Sequence, residues 1–380
     1  MLPLPLLQII WWFLIGLILI IYASTAGYDA GLTAYLPFLK KEEDKRVVLN
    51  ISAPTWDGNQ TWVVFAGGGL FVVWPMVYSA AFSGLYFAFI AILWTLLLRP
   101  PGYDYRSKLH SHLWRRTWDV LLAISGLVPV FLFGVIVGNA FLGFPFTIEP
   151  HFFQPIYHVE LSHLLNPFGL LCGFISVFMI LMHGSSYLAR RSENELCALG
   201  RRMHKLFLVI LSLLFTSAAL WVIALPGFVL LHQDADPLLY PLQNTVQLIP
   251  HAWIERYHQN PLCYFAPLVT YASWMMSYIA NQKARFTLCF WSSVLSIAGV
   301  MACVGFALFP FVFPSSFNLN HSLTVWNASS GQYALNTMLC IGVVLLSVTL
   351  WYKLWTFKVI WSKQKTLSAK DVADNEHLFY

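Results

Sequence analysis

Charge is scarce in this chain. Only 10% of its 380 residues are Asp, Glu, Lys or Arg, against about a quarter in soluble domains. From Met1 to Leu39 the sole charged side chain is Asp29, and from Val47 to Leu98 it is Asp57. Such runs exclude a water-soluble globule. The six Cys residues form no CxxC and fall mostly in apolar stretches, which argues against a disulfide or zinc framework. Met1–Ile10 holds no Lys or Arg, and the apolar run behind it is longer than a secretory core. The first apolar stretch is therefore expected to be a retained span, not a cleaved signal. No internal repeat is evident.

What remains is hydrophobic, 58% of residues. The pattern predicts an all-α polytopic membrane protein with spans near 6–27, 60–77, 79–98, 120–142, 164–188, 206–230, 261–281, 287–309 and 333–355. Of the 22 Lys and Arg residues, 21 lie in alternate loops and in the tail, and only Arg256 lies opposite. By the positive-inside rule the N-terminus is outside and the C-terminus cytoplasmic. Residues 1–380 read as one integral-membrane domain of nine transmembrane helices, with an external loop near 231–260 and a cytoplasmic tail near 356–380. The net charge of +5 belongs to loops facing lipid headgroups and is no nucleic-acid footprint. The loop with Pro237, Pro241, Pro250, His232, His251 and His258 reads as an outer lid or interface. The uncharged segment 310–332 is expected to bury against another subunit.

A charge within a span is costly and usually marks function. Asp29 and Asp57 each stand 11 residues from the cluster Lys40–Arg46, on opposite flanks. Asp57 lies in Trp56-Asp57-Gly58-Asn59-Gln60-Thr61-Trp62 and has two readings. It caps the second span, or it is a relay whose carboxyl, withdrawn from water, holds and releases a proton. Asp29 is the expected upstream or structural partner, and Asp104 a weaker candidate nearer the surface. Trp56, Asn59, Gln60 and Trp62 are expected to support this site or line a subunit interface. Asp104 and Asp119 also suit salt bridges to Arg99, Arg106 or Arg115. His183, well inside a span, reads as a hydrogen-bonded packing residue before a haem ligand. Ala80, Gly84 and Ala88, with Gly67-Gly68-Gly69, form a small-residue stripe for close helix contact. No catalytic residue and no metal site is expected in this chain.

Several stretches then carry a resemblance. Trp11-Trp12, Gly27-Tyr28-Asp29, Ser52-Ala53-Pro54 with Trp56–Gln60, Trp74–Gly84, Tyr103–Lys108, Trp118-Asp119, Asn166–Leu171, Phe309-Pro310-Phe311, Pro314-Ser315-Ser316 and Ser322-Leu323-Thr324 recur in order. The chain resembles subunit II of the bacterial cytochrome bd quinol oxidases along nearly its whole length. The resemblance implies a multi-pass subunit in the bacterial inner membrane, within a complex that oxidises quinol and reduces dioxygen to water. It implies haem b and haem d in the assembled complex, with their ligands on an obligate partner, subunit I, and none bound by this chain alone. Membrane lipids, the quinol substrate and a small accessory subunit are the further partners it suggests. This chain would then be a structural partner that contributes a cytoplasmic proton-uptake path. Two positions depart from the family: Ala26 and Asn327 stand where an Asp is usual, which weakens the case for a bound cation. The rival is a secondary transporter with a site at a broken helix near Gly67-Gly68-Gly69, although spans six to nine hold no charge before Lys353.

Overall fold

The computed structural model describes residues 2–158, 161–232, 242–363 and 366–374. Helices dominate because a backbone in hydrocarbon must satisfy its own hydrogen bonds. In order they are α1 (Leu4–Thr33), α2 (Glu42–Ser52), α3 (Trp56–Val73), α4 (Pro75–Gly84), α5 (Tyr86–Leu96), α6 (Arg99–Tyr105) and α7 (His112–Leu142). There follow α8 (Pro167–Arg191), α9 (Asn194–Ala224), α10 (Ala252–Gln259), α11 (Phe265–Gln282), α12 (Phe286–Leu308), α13 (Gln332–Lys363) and α14 (Ala369–Asp374). Three antiparallel pairs interrupt them: β1 (Phe146–Ile148) with β2 (Pro155–Tyr157), β3 (Pro226–His232) with β4 (Thr245–Pro250), and β5 (Phe311–Phe313) with β6 (Leu323–Thr324). The chain is thus mainly helical, with small hairpins where an all-α pattern was expected.

Among the described residues, 6 helices are long and apolar enough to cross a membrane, or up to 7 if a bent pair counts as one span. The 6 correspond to the first, fourth, fifth, sixth, eighth and ninth expected spans. The second and seventh are α3 and α11, of 18 residues each. Their apolarity is diluted by Asp57-Gly58-Asn59-Gln60 in one and by Asn281-Gln282 in the other. The second ends at Val73 and not at residue 77, because Pro75 starts α4 and Trp74 leaves helical geometry.

The third expected span is not continuous. It bends by 82° at Leu85, between α4 and the following helical segment. The cause is visible at Gly84, whose missing side chain is replaced by the ring of Tyr157 from β2. A Cβ there would lie 1.8 Å from the ring carbon Cζ. The Tyr157 hydroxyl donates to the carbonyl of Ala80, one turn earlier. Gly84 therefore seats a loop tyrosine and does not form a helix–helix stripe. Conversely, α3 runs unbroken through Gly67-Gly68-Gly69, where the rival reading needed a break.

α1 forms the axis of the bundle. It meets α8 at Gly31 and Gly184, where a Cβ on Gly31 would lie 2.3 Å from the Ile180 carbonyl oxygen. No residue larger than glycine allows that approach. Trp11 donates to the Leu335 carbonyl at 3.1 Å, tying α1 to α13.

In the segment 310–332, 11 of 23 residues are buried within this chain and five are exposed. Asn327 accepts from the Thr324 amide at 2.7 Å and donates to the Ser322 carbonyl at 3.1 Å. Ser315 donates to the Phe146 carbonyl at 2.5 Å, and the Ser330 amide to the Val73 carbonyl at 2.8 Å. Its polar groups are consumed internally, which explains why it needs no charge. In the loop near 231–260, β3, β4 and α10 are ordered elements; Pro237 and Pro241 lie outside the described residues. The expected tail is helical at its start, since α13 continues to Lys363.

Gly84→Leu should destabilise the purified protein by roughly 1–3 kcal/mol, as overpacking typically does, read as a lower thermal midpoint. In a Tyr157→Ala background the same substitution should cost clearly less. Equal losses in both backgrounds would remove Tyr157 as the cause of the bend.

Candidate functional site

The site is built around one carboxylate. Asp29, in the last turns of α1, is completely buried. Pro54 ends the α2 segment and turns the chain so that Thr55 and the first turn of α3 face back onto α1. The Tyr28 hydroxyl donates to Thr55 Oγ1 at 2.8 Å, and Thr55 lies 3.4 Å from Asp29 Oδ1. Asn59, also completely buried, donates from Nδ2 to Asp29 Oδ2 and to the Thr25 carbonyl at 3.0 Å. Its other end, Oδ1, accepts from the Lys353 ammonium of α13. Asn59 thus bridges an anion and a cation that are 324 positions apart in sequence (353 minus 29). Asp29 feels the positive charges of both Arg99 and Lys353. Arg99 is itself buried, donates to the Ser125 carbonyl at 3.3 Å, and leaves Nε and Nη1 without a partner. Tyr28 stacks on Tyr187 of α8 with ring centroids 4.2 Å apart, sealing the site from that side.

The sequence-predicted residues distribute unevenly around this centre. Asp57 is exposed on the second residue of α3, so this chain does not withdraw it from water. Nor is it the cap: Thr55 holds that position, and it makes no side-chain cap hydrogen bond. A carboxylate in the first turn is favoured there by the helix dipole alone. Asp104 is exposed on α6. Trp62 is buried in this chain's own core and Asn59 in its polar site. Trp56 stacks face to face on Tyr103 at 4.9 Å. Gln60 is half-buried, with both ends of its amide unpartnered. Lys353 and Arg99 were missed as members of the site. Their signal was isolation: Lys353 is the first charge after a long uncharged run.

Asp119 is the second buried carboxylate. It accepts from Arg106 Nε at 2.6 Å and from Lys45 at 2.7 Å, and Arg106 also binds Glu42 at 2.8 Å. Burial alone would raise the Glu42 carboxyl. The hydrogen bond and charge of Arg106, with Arg115 and Lys45, outweigh it and hold Glu42 below its usual range. These pairs are a structural clamp between α2, the end of α6 and α7, a network of the kind that stabilises where an isolated surface pair does not.

Neither buried histidine offers a nitrogen to a haem iron. His183 lies 2.7 Å from Ser293 Oγ through Nδ1 and 2.8 Å from the Ser24 carbonyl through Nε2. His204, which lies inside α9 and not in the loop expected before it, contacts the Met182 carbonyl at 3.0 Å and Ser277 Oγ at 3.0 Å. Among the described residues no three His, Cys, Asp or Glu side chains are grouped to hold a metal ion. Neither buried histidine is thus free to ligate a haem, and no chemistry is routed through one here.

Comparison with known proteins follows this geometry. A family model described as cytochrome bd terminal oxidase subunit II matches residues 7–360. Cytochrome bd-I ubiquinol oxidase subunit 2 of Escherichia coli (strain K12) is 36% identical over 377 residues, covering 98% of each chain. A probable cytochrome oxidase subunit 2 of Haemophilus influenzae is 34% identical over 376 residues, again covering 98% of each. The solved structure of bd oxidase from Geobacillus thermodenitrificans has the same fold, with a TM-score of 0.66 at 15% identity, over 92% of this chain and 98% of that one.

Two predictions test the network. Lys353→Met should destabilise the protein, because it strands Asn59 Oδ1 and leaves the buried Asp29 with less compensation. Adding Asp29→Asn should then recover part of the loss in thermal midpoint, whereas an additive loss would show that the two groups are not coupled. Glu42 should contribute stability fully above its ordinary value of 4.5 and lose it as pH falls through its lowered value. The gap in thermal midpoint between wild type and Glu42→Gln should therefore be flat near neutrality and narrow in acid; a gap that widens in acid would reverse the sign.

Proposed function

The chain belongs to the cytochrome bd terminal oxidase subunit II family, and from that premise we propose that it supplies a proton-uptake path to the haem-bearing partner of a quinol oxidase. The complex is an oxidoreductase, and this chain is its non-catalytic membrane subunit. In this reading the whole chain is one membrane domain. α3, the bent α4–α5 unit and α11 complete nine crossings, the basic end faces the cytoplasm, and the membrane is the bacterial inner membrane. Quinol oxidation and dioxygen reduction take place on subunit I, which carries haem b and haem d.

The observation that carries the reading is the buried Asp29–Asn59–Lys353 array. Reduction of dioxygen to water consumes protons at a buried centre, so a route from the cytoplasm is required. Asp57 lies at the surface of α3, within the same first turns as Asn59, and suits entry. Asp29 suits the buried step, because a carboxyl held by Thr55 and Asn59 can take up a proton and pass it on. The order differs from the sequence expectation, which placed Asp57 at the buried step. Asn59 and Lys353 position Asp29 and balance its charge. Asp104 stays a weaker surface contributor.

Subunit I is proposed to dock on α3. Asp57, Gly58, Thr61 and Gly68 are exposed on that helix, and a Cβ on Gly58, Gly67 or Gly68 would meet nothing. A small and polar stripe faces lipid poorly but admits a closely packed helix. Docking there would also bury Asp57.

Asp29→Asn and Asp57→Asn keep size and hydrogen bonding while removing the titrating group. The assembled Asp29→Asn complex should keep its haem spectrum yet consume oxygen with quinol roughly a hundredfold more slowly, the low end for loss of a proton-transfer group. Asp57→Asn should slow it less. Full turnover in assembled Asp29→Asn complex would remove that carboxyl from the path.

A further inference from the structure

We propose that the basic end of the α11–α12 pair is a binding site for an anionic phospholipid. A groove of about 420 Å³ runs between the two helices, lined by Met275, Met276, Ile279, Leu288 and Leu295, with Lys283 and Arg285 on the same lining. That volume is within the range of small-molecule pockets. The two basic residues flank Ala284, the tip of the tight turn, whose φ of 53° brings the chain back on itself. Charged heads therefore stand at the mouth of an apolar channel, as a lipid headgroup and its acyl chain require.

Electrostatics around the mouth are of one sign. Among the described residues neither Lys283 nor Arg285 makes an ion pair. Their neighbours across the turn are also basic: Arg201 donates to the Asn281 and Gln282 carbonyls at 3.3 Å each, and Lys205 to Gln282 Oε1 at 3.1 Å. Arg190 reaches Thr287 on the first turn of α12 at 2.9 Å. The carboxylates at the start of α9 are turned elsewhere, Glu195 to Lys41 at 2.6 Å and Glu193 to Thr366.

The start of α12 adds backbone donors. Arg285 precedes the helix without a side-chain cap, and the first amide bonded back is that of Cys289, to the Arg285 carbonyl at 3.0 Å. The amides of Phe286, Thr287 and Leu288 thus lack intrahelical acceptors and point with the positive end of the helix dipole. A phosphate diester at this position satisfies them together with Lys283 and Arg285. A free phosphate would leave the channel empty, and an apolar helix would leave the charges unanswered. The occupant that meets both halves is an anionic lipid.

The test uses the intact complex in nanodiscs of phosphatidylcholine with or without phosphatidylglycerol, read by native mass spectrometry of the lipid retained after detergent transfer. Wild type should retain phosphatidylglycerol over phosphatidylcholine. Lys283→Gln with Arg285→Gln should cut that preference by roughly 25-fold, each charge contributing about fivefold. Met276→Trp, which fills the channel and keeps the charges, should reduce retention as well, and inorganic phosphate should not displace the lipid. Thermal midpoint and oxygen uptake, checked first, should be unchanged in both variants. Equal retention of the two lipids, retention untouched by the charge-removing pair, or a protein segment found covering the groove would each overturn the proposal.

Discussion

The contact on which the rest of the structure depends is the backbone approach of α1 to α8 at Gly31 and Gly184. Any Cβ at Gly31 would enter the Ile180 carbonyl, and one at Gly184 would come within 2.8 Å of the Gly31 backbone. Van der Waals contact drives helix association in lipid, so such an approach is favourable only where both surfaces are small. It puts α1 at the centre of the bundle, with Asp29, two residues before Gly31, turned to the other side of the helix toward Thr55 and Asn59. The buried carboxylate then needs Thr55, Asn59, Lys353 and Arg99. The same contact brings His183 against the Ser24 carbonyl, and so makes that histidine a packing residue.

The two ends of the bundle solve the surface problem by different chemistry. At the basic end, charge is used in networks: Arg106 serves both Asp119 and Glu42, and Lys45 completes the cluster. At the opposite end Lys and Arg are nearly absent, and segment 310–332 is stitched by neutral hydrogen bonds that Ser315, Asn320, Asn327 and Ser330 make with backbone groups. Neutral stitching uses much of the polarity of 310–332 within this chain, although Ser316, Phe317 and Asn320 stay exposed. The unsatisfied surface lies instead on α3, where glycines and Asp57 face outward.

Much was legible without coordinates. Alternating basic loops, long uncharged runs and two isolated aspartates were enough to identify a multi-pass subunit, and the ordered motifs pointed to its family. Those features are local in sequence: hydrophobic length reports helices, and loop charge reports sidedness. Asn59 stood out as a polar residue near Asp57, but not as a partner of Asp29.

Which aspartate is buried was decided only by tertiary structure. Asp29 and Asp57 stand at equal sequence distance from the Lys40–Arg46 cluster, so periodicity could not separate them. Burial depends on what packs against each helix face, and Thr55 with Asn59 of α3 covers Asp29 while nothing in this chain covers Asp57. Lys353 reaches Asn59 from the far end of the sequence, and Tyr157 bends α4 away from α5 from a hairpin beyond α7. Such contacts depend on helix crossings and loop returns, which local composition does not encode. The sequence by itself determined the class and the family; the packing around α1 determined where the charge is held.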